Sequence, residues 1–482
     1  MELLKPSEFP FIGPSYESRS ITFDNSRTVN MFVELHDLGA GKGAQPALLL
    51  GTPGLRRVQQ LGTGPIRCTY TVSNNSVTYV VSGNEVYQMS SAEGGVVQLS
   101  GNLTTSVGPV SMSDNGTHAL FVDGANGYTI NFASPAVVQI NDPNFYNGST
   151  SVTYQGGYFI LEKAGTSNFY ISDPDSIDFP PLNESSSLSS PDVLVSVISN
   201  NEQLYLLGSR TIEVWALTGA SASAPFQLIG GRVIFVGCTA QATVRKLAGT
   251  FLWLGSNDQG DGVVYSMEND SPTRVSTHAI EYRLQKLGDL SGATAYGYQA
   301  DGHYFYVLNI PGLGTTFTYD MTSKQWHERQ SMQNGEMTRH LGETHAFLNG
   351  EHVIGAYNNG NVYVYDTDYF YDNGEPLRRM RQTPHSSKGL ANVFYKTMQV
   401  DIQPGVGTLT INPRLVLQIS RDGGHTFGNP IYTTLGLVGR YRTRARWARL
   451  GYGRDLVFRV FCDDPVNVVF LSAYLEVEMG TA

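Results

Sequence analysis

Charge is scarce in this 482-residue chain: Asp, Glu, Lys and Arg together make up 15%. With 41% apolar residues, that excludes disorder and a coiled coil and leaves enough material to fill a core. Cysteine is nearly absent. Cys68, Cys238 and Cys462 lie far apart, with no CxxC pair, so neither a disulfide framework nor a metal knot is expected and all three read as reduced, buried thiols. There is no apolar signal core at the N-terminus and no run near the ~18 consecutive apolar residues of a membrane helix. The expectation is a soluble chain, made in a reducing cytoplasm, without membrane insertion. Basic residues are the minority, 32 against 42 acidic, and the formal charge of −10 argues against gripping DNA through a basic surface. Phosphate-loop, nucleophile-elbow and dinucleotide motifs are missing. The histidines His303, His327, His340, His345 and His352 share a region without ligand spacing. Acidic pairs such as Asp463-Asp464 and Asp173/Asp175 sit in Pro-containing turns. No catalytic residue, metal or cofactor is expected, and the chain does not read as an enzyme.

Glycine (52), tyrosine (27) and phenylalanine (22) are plentiful instead, which suits short strands joined by Gly-rich turns. The stretch from 202 to 220 sets the pattern. Two apolar runs, Leu204–Leu207 and Thr211–Trp215, flank Gly208-Ser209-Arg210 and predict a β-hairpin. Paired runs of this kind recur after turn residues 75, 116, 157, 202, 249, 302 and 350, at a spacing of roughly 40 to 53 residues, about one four-stranded propeller blade. Closing the blades into a ring removes most exposed strand edges. The expected fold is all-β: a propeller of six or seven blades over residues 66–383, an N-terminal extended segment over 1–65, and a separate C-terminal β-sandwich-like domain over 390–482. A pair of sandwiches with irregular insertions is the alternative.

Within this frame, Thr28–Glu34 predicts one strand, Gly51-Thr52-Pro53-Gly54 a turn built on Pro φ and Gly freedom, and Gly39–Gly43 a loop. One helix, near 277–287, is expected to start at a capping Ser276, present Ile280, Leu284 and Leu287 on one face, and stop at Gly288. Pro384–Gly389 reads as a linker, followed by strands near Asn392–Ile402, Leu415–Ile419, Leu456–Phe461 and Val468–Val477.

Two constellations stand out. Ser420, Asp422, Gly424, Thr426 and Phe427 fit an "Asp box", in which a carboxylate caps backbone N–H groups in a hairpin turn over an aromatic. A sialidase-like enzyme needs several such boxes with an arginine triad, and here there is one. Arg440, Arg442, Arg444 and Arg446 alternate, so a strand would place all four on one face, toward phosphates, a neighbouring subunit's carboxylates, or solvent. Arg378-Arg379-Met380-Arg381 reads as a charged loop.

Arg27–Met31 with Gly51–Leu55, Gly208–Trp215 with 217–220, Ser276–Glu281, and Asp422–Gly424 followed by Trp447–Gly451 occur in the order found in the tail hub, or nozzle, of short-tailed bacteriophages. That family is also called the packaged-DNA stabilisation protein or tail accessory factor, and the chain resembles it from end to end. The resemblance implies a virion tail protein forming a homohexameric ring beneath the portal and adaptor. Such a ring would pass double-stranded DNA without sequence-specific binding, retain the packaged genome, and dock tail fibres or spikes and a distal plug or needle. A carbohydrate-active or glycan-binding tail propeller is the other reading.

Overall fold

The seven marker residues Asn75, Gly116, Gly157, Glu202, Gly249, Gly302 and Gly350 all hold a positive φ, from 55° to 96°. Each lies in a turn between two consecutive antiparallel strands of a sheet in the computed structural model; four of these seven sheets are four-stranded and the other three carry additional strands. The structure describes residues 7–36, 47–187, 192–219, 221, 224–257, 260–389, 391–403, 407 and 411–480; the expected loop Gly39–Gly43 lies outside them.

The described sheets form seven blades, resolving the expectation of six or seven. Blades 1 to 5 are consecutive, starting at Ile66, Ser111, Val152, Leu194 and Gly237; blade 6 starts at Thr294 and blade 7 at Gly342. The fourth strand of blade 7 is Gly54–Gln60, brought from the N-terminal region to pair with Asn361–Asp366. The ring therefore closes on strands more than 300 positions apart, a loop-closure cost offset once by apolar packing rather than left as two exposed edges.

That packing explains why the second strands read as unbroken apolar runs. Leu204 and Leu206 pack into the core shared by blades 3 and 4, whereas Tyr205 and Leu207 pack into the core shared by blades 4 and 5. Each blade is covered on both faces, so period two serves two cores instead of one core and solvent. An apolar cluster fills every junction between neighbours, including that of blades 7 and 1, where Val353, Val362 and Val364 meet Ile66, Val80 and Met89. The first strands of the blades surround an axial cavity of about 470 Å³.

The helix His278–Gln285 packs Ile280 and Leu284 between blades 5 and 6. Its cap is Thr277, which accepts from the Ile280 N–H, and not Ser276. Ser276 instead donates to Glu281 at 2.6 Å and accepts from the Val264 N–H at 3.0 Å.

The N-terminal segment is shared between both bodies. Thr28–Glu34 is two strands, Asn25–Val29 and Met31–Leu35, broken at Asn30 with φ 55°. Asn30 is fully buried, and its amide reaches the carbonyls of Gln330 and Arg378 while its carbonyl accepts from the Gln330 N–H, so the side chain continues the ladder where the main chain turns away. Gly51 and Gly54 are needed for close approach rather than positive φ: a Cβ on Gly54 would sit 2.0 Å from the Tyr369 carbonyl, and one on Gly51 2.3 Å from Arg379 Nε.

Asn25–Val29 ties the molecule together. It pairs parallel with the last strand of blade 6 and antiparallel with Arg379–Gln382, which pairs in turn with Asp455–Cys462 of the C-terminal sandwich. One hydrogen-bonded sheet thus runs from blade 6 into the sandwich. The facing sheet is Met31–Leu35, Ala47–Gly51, Phe470–Met479, Val393–Ile402 and Ala445–Gly453, with Ser7–Phe9 added on Phe470–Met479. Phe11, Met31 and Leu49 share a core with Trp447, Phe458 and Phe470. Pro384–Gly389 is more than a linker, because Ser386–Ser387 pairs with Asp455 and Leu456.

The expected charged loop at 378–381 is a buried strand. Arg379 and Arg381 are each 2% exposed, and burial lowers both to about 10. Arg381 donates to the Phe11 and Pro14 carbonyls and to Thr28 Oγ1, so carbonyl oxygens solvate a cation that the sequence placed in water. Beside it, Arg27 forms a two-pronged pair with Glu328 at 2.9 and 2.7 Å, and Arg283 lies 3.7 Å away. Glu328 is fully buried, yet the arginines hold its carboxyl down at about 2, against the opposing effect of burial.

Breaking a buried pair strands the remaining charge, typically at about 3–5 kcal/mol. Glu328→Gln is expected to lower unfolding free energy on that order in a urea titration. A change under about 0.5 kcal/mol, the scale of an ordinary surface substitution, would show that the pair does not hold the seam.

Candidate assembly surfaces

The Asp box closes the loop between the sandwich strands Arg414–Ser420 and Ile431–Thr434. Ser420 Oγ donates to Asp422 at 2.6 Å and accepts from the Gly424 N–H at 2.8 Å. Asp422 accepts the Thr426 N–H at 2.9 and 3.0 Å and its hydroxyl at 2.5 Å. These donors drive the Asp422 carboxyl far below the usual carboxylate range. Gly424, at φ 90°, leaves no room for a Cβ beside Asn25 Nδ2. Phe427 is half-buried, with the Arg459 guanidinium 3.5 Å over its ring. Every contact of the carboxylate is spent on its own loop, so the arrangement sets a turn and offers no acid or base to a substrate.

The alternating arginines do not share a strand. The strand begins at Ala445, so Arg440, Arg442 and Arg444 precede it in a turn, and only Arg446 lies on it. Gly436 and Gly439, at φ 90° and 82°, build that turn, with the Arg440 N–H bonded to Leu437 O. These glycines were the signal that outweighs the alternation. All four arginines are exposed nonetheless. Arg446 comes within 3.9 Å of Glu476, and Arg444 and Arg446 line an open cleft with Asp401 and Glu476. The other three form no ion pair among the described residues.

Exposed aromatics that no sequence motif marks stand beside them. Tyr441 is 71% exposed, Tyr432 57% and Tyr452 61%, with the Phe394 ring tilted at 43° against Tyr452 across the strands. Arginine and tyrosine together are the composition of protein-binding hot spots. Charge divides in the same place: from Ala391 onward there are ten Lys and Arg against seven Asp and Glu, leaving 22 and 35 of the totals 32 and 42 to the rest.

The clustered histidines are built into the wall of blades 6 and 7. His303 bonds Asp320 at 2.8 Å, and His345 meets His352 at 2.9 Å. His340 lies 3.2 Å from Tyr365 Oη and 3.7 Å from Asp372. No cluster of three metal-ligating side chains occurs among the described residues. The three cysteines are buried and free, with thiols pushed up to about 12 by burial.

A family model described as "Bacteriophage P22 Gp10, beta-propeller" matches residues 7–369, and one described as "Bacteriophage P22 Gp10, beta-sandwich" matches 378–478. The tail hub protein gp10 of Salmonella phage P22 is 21% identical over 428 residues, spanning 84% of this chain and 87% of its own. Among solved structures, the Pan2 WD40 domain of Neurospora crassa aligns at a TM-score of 0.41 and 8% identity, over 65% of this chain and 97% of its own. The computationally designed Ika8 protein aligns at 0.40 and 10% identity, over 65% and 99%.

Burial holds His327 at about 3 and His340 at about 4, below the ordinary histidine value near 6.5. The unfolded chain therefore binds protons first, and the stability these two residues contribute falls as pH drops from about 6.5 toward 4. His303, raised by Asp320, acts in the opposite sense. The expected net result is a Tm that declines between pH 7 and 4.5 and a shallower decline in His327→Phe; a Tm that rises over that range would contradict it. Asp422→Ala is expected to speed amide exchange in 421–430 while the blades stay protected, with unchanged exchange there counting against the box as the turn's lock.

Proposed function

The chain belongs to the bacteriophage P22 Gp10 family and is a structural protein of a phage tail, and from this premise we propose that six copies form a ring that continues the DNA channel below the portal and adaptor. The two family models, which together match residues 7–369 and 378–478 of the chain, support the reading. Its work is structural: the ring retains the packaged genome and offers docking surfaces to tail fibres or spikes and to a distal plug or needle.

A closed ring of identical chains needs two different patches per subunit. The basic, tyrosine-rich corner of the sandwich is one candidate and the acidic propeller flank the other. In this reading Arg440, Arg442, Arg444 and Arg446 meet carboxylates of the neighbouring copy. The continuous sheet between propeller and sandwich supports it, since a rigid subunit holds both patches at a fixed angle, which closure requires. The acidic balance also suits a channel that DNA must traverse. Each neutralised phosphate would add salt-sensitive affinity, with a slope of about 0.9 per contact, and so hinder passage. An anionic wall acts over only about 8 Å at physiological salt, which discourages sticking without blocking movement. Retention then falls to a constriction or plug.

Electron microscopy of particles carrying a tagged copy is expected to place six tags at one level of the tail next to the portal; tags elsewhere in the particle would refute the ring. Charge reversal of the four arginines to glutamate is expected to abolish ring assembly while leaving the monomer Tm within a few degrees. Intact rings with DNA leaking from filled heads would move the stripe to the channel wall.

A further inference from the structure

The axial cavity of the propeller reverses the sign of the body around it. The blades carry most of the acidic excess, yet the side chains lining the 470 Å³ cavity include Arg67, Arg245 and Lys246 and no carboxylate. Glu343 stands only at one mouth, where Arg339 pairs with it and Thr294 donates to it at 2.8 Å.

Two of the three cations also have structural work. Arg67 donates to the carbonyls of Gly83, Thr105 and Gly108, tying blade 1 to the segment leading into blade 2. Arg245 donates to Ala295 O and ties blade 5 to blade 6. Neither forms an ion pair with a carboxylate among the described residues, and burial lowers both, against the smaller opposing influence of Asp123 on Arg67 and of Glu343 on Arg245. Lys246 has no such employment. It is exposed to the cavity and has no hydrogen-bond or ion-pair partner among the described residues. Thr69, nine-tenths buried in the same wall, has a hydroxyl without a partner. Cations that lack an ion-pair partner, gathered round a confined space, raise the potential there and favour a multiply charged anion. Two guanidiniums and an ammonium suit phosphate oxygens in particular. The volume falls within the range of about 300–1,000 Å³ usual for small-molecule sites.

We propose that the propeller axis is a binding site for a small polyphosphorylated anion, held by Arg67, Arg245 and Lys246. The site lies within one chain, so it is distinct from any channel formed between copies and does not depend on ring assembly. Lys246 is the residue that separates binding from scaffolding, because its removal costs no contact seen in the fold.

Isothermal titration of the full-length protein with inorganic pyrophosphate at fixed ionic strength tests the site. The expected result is saturable binding at one equivalent per chain, weakened about tenfold or more in Lys246→Gln and retained in Lys246→Arg, with the Tm of both unliganded variants equal to that of the parent. Absence of saturable binding, or equal affinity in Lys246→Gln, would overturn the proposal.

Discussion

The pairing of Asn25–Val29 with blade 6 on one side and Arg379–Gln382 on the other is the constraint on which the rest depends. A propeller and a sandwich joined by a flexible linker would each fold, but their surfaces would point in no fixed relation. Here the junction is a hydrogen-bond ladder backed by the buried Arg27–Glu328 pair and by Asn30, whose amide stands in for main chain at the break. Ring closure uses the same device a second time. Gly54–Gln60 crosses from the N-terminal region to complete blade 7, while Asn25–Val29, earlier in the same region, anchors the propeller to the sandwich.

Buried charge accompanies each of these joints. Arg381 sits beneath the tie strand, Arg379 beside Gly51, and Arg329 bonds Tyr365 Oη and the Pro53 carbonyl where the chain enters blade 7. Buried cations satisfied by carbonyls add little net stability, but they penalise alternative registers, since a one-residue slip would leave each guanidinium without its oxygens. That is a specificity device, and it suits a subunit whose purpose is to hold a defined angle in an assembly.

The blades were legible in the sequence because two rules coincide there. Both faces of each blade are buried, giving dense apolar runs, and each first turn needs positive φ, giving glycine or asparagine at a regular spacing; even Glu202, the exception in type, follows Asn201 in a two-residue turn. What was hidden depends on distance along the chain. Gly54–Gln60 reads as a polar, unremarkable stretch because only its partner, some 300 residues away, makes it a strand. Arg379 and Arg381 read as a loop because charge predicts water unless the carbonyls that replace it are known. The Arg440–Arg446 alternation mimics a strand, and Gly436 and Gly439 were the local evidence for a turn. The Asp box was readable residue by residue, since all its bonds lie within seven positions.

Hydrogen exchange of the free protein, followed by mass spectrometry over the peptide containing Asn25–Val29, tests the single-body claim most directly. Exchange as slow as in Gln325–Gln333, its partner in blade 6, is the result this account predicts. Rapid exchange of the tie strand while blade 6 and Asp455–Cys462 remain protected would show two bodies that merely touch, and would remove the fixed geometry on which ring formation is argued.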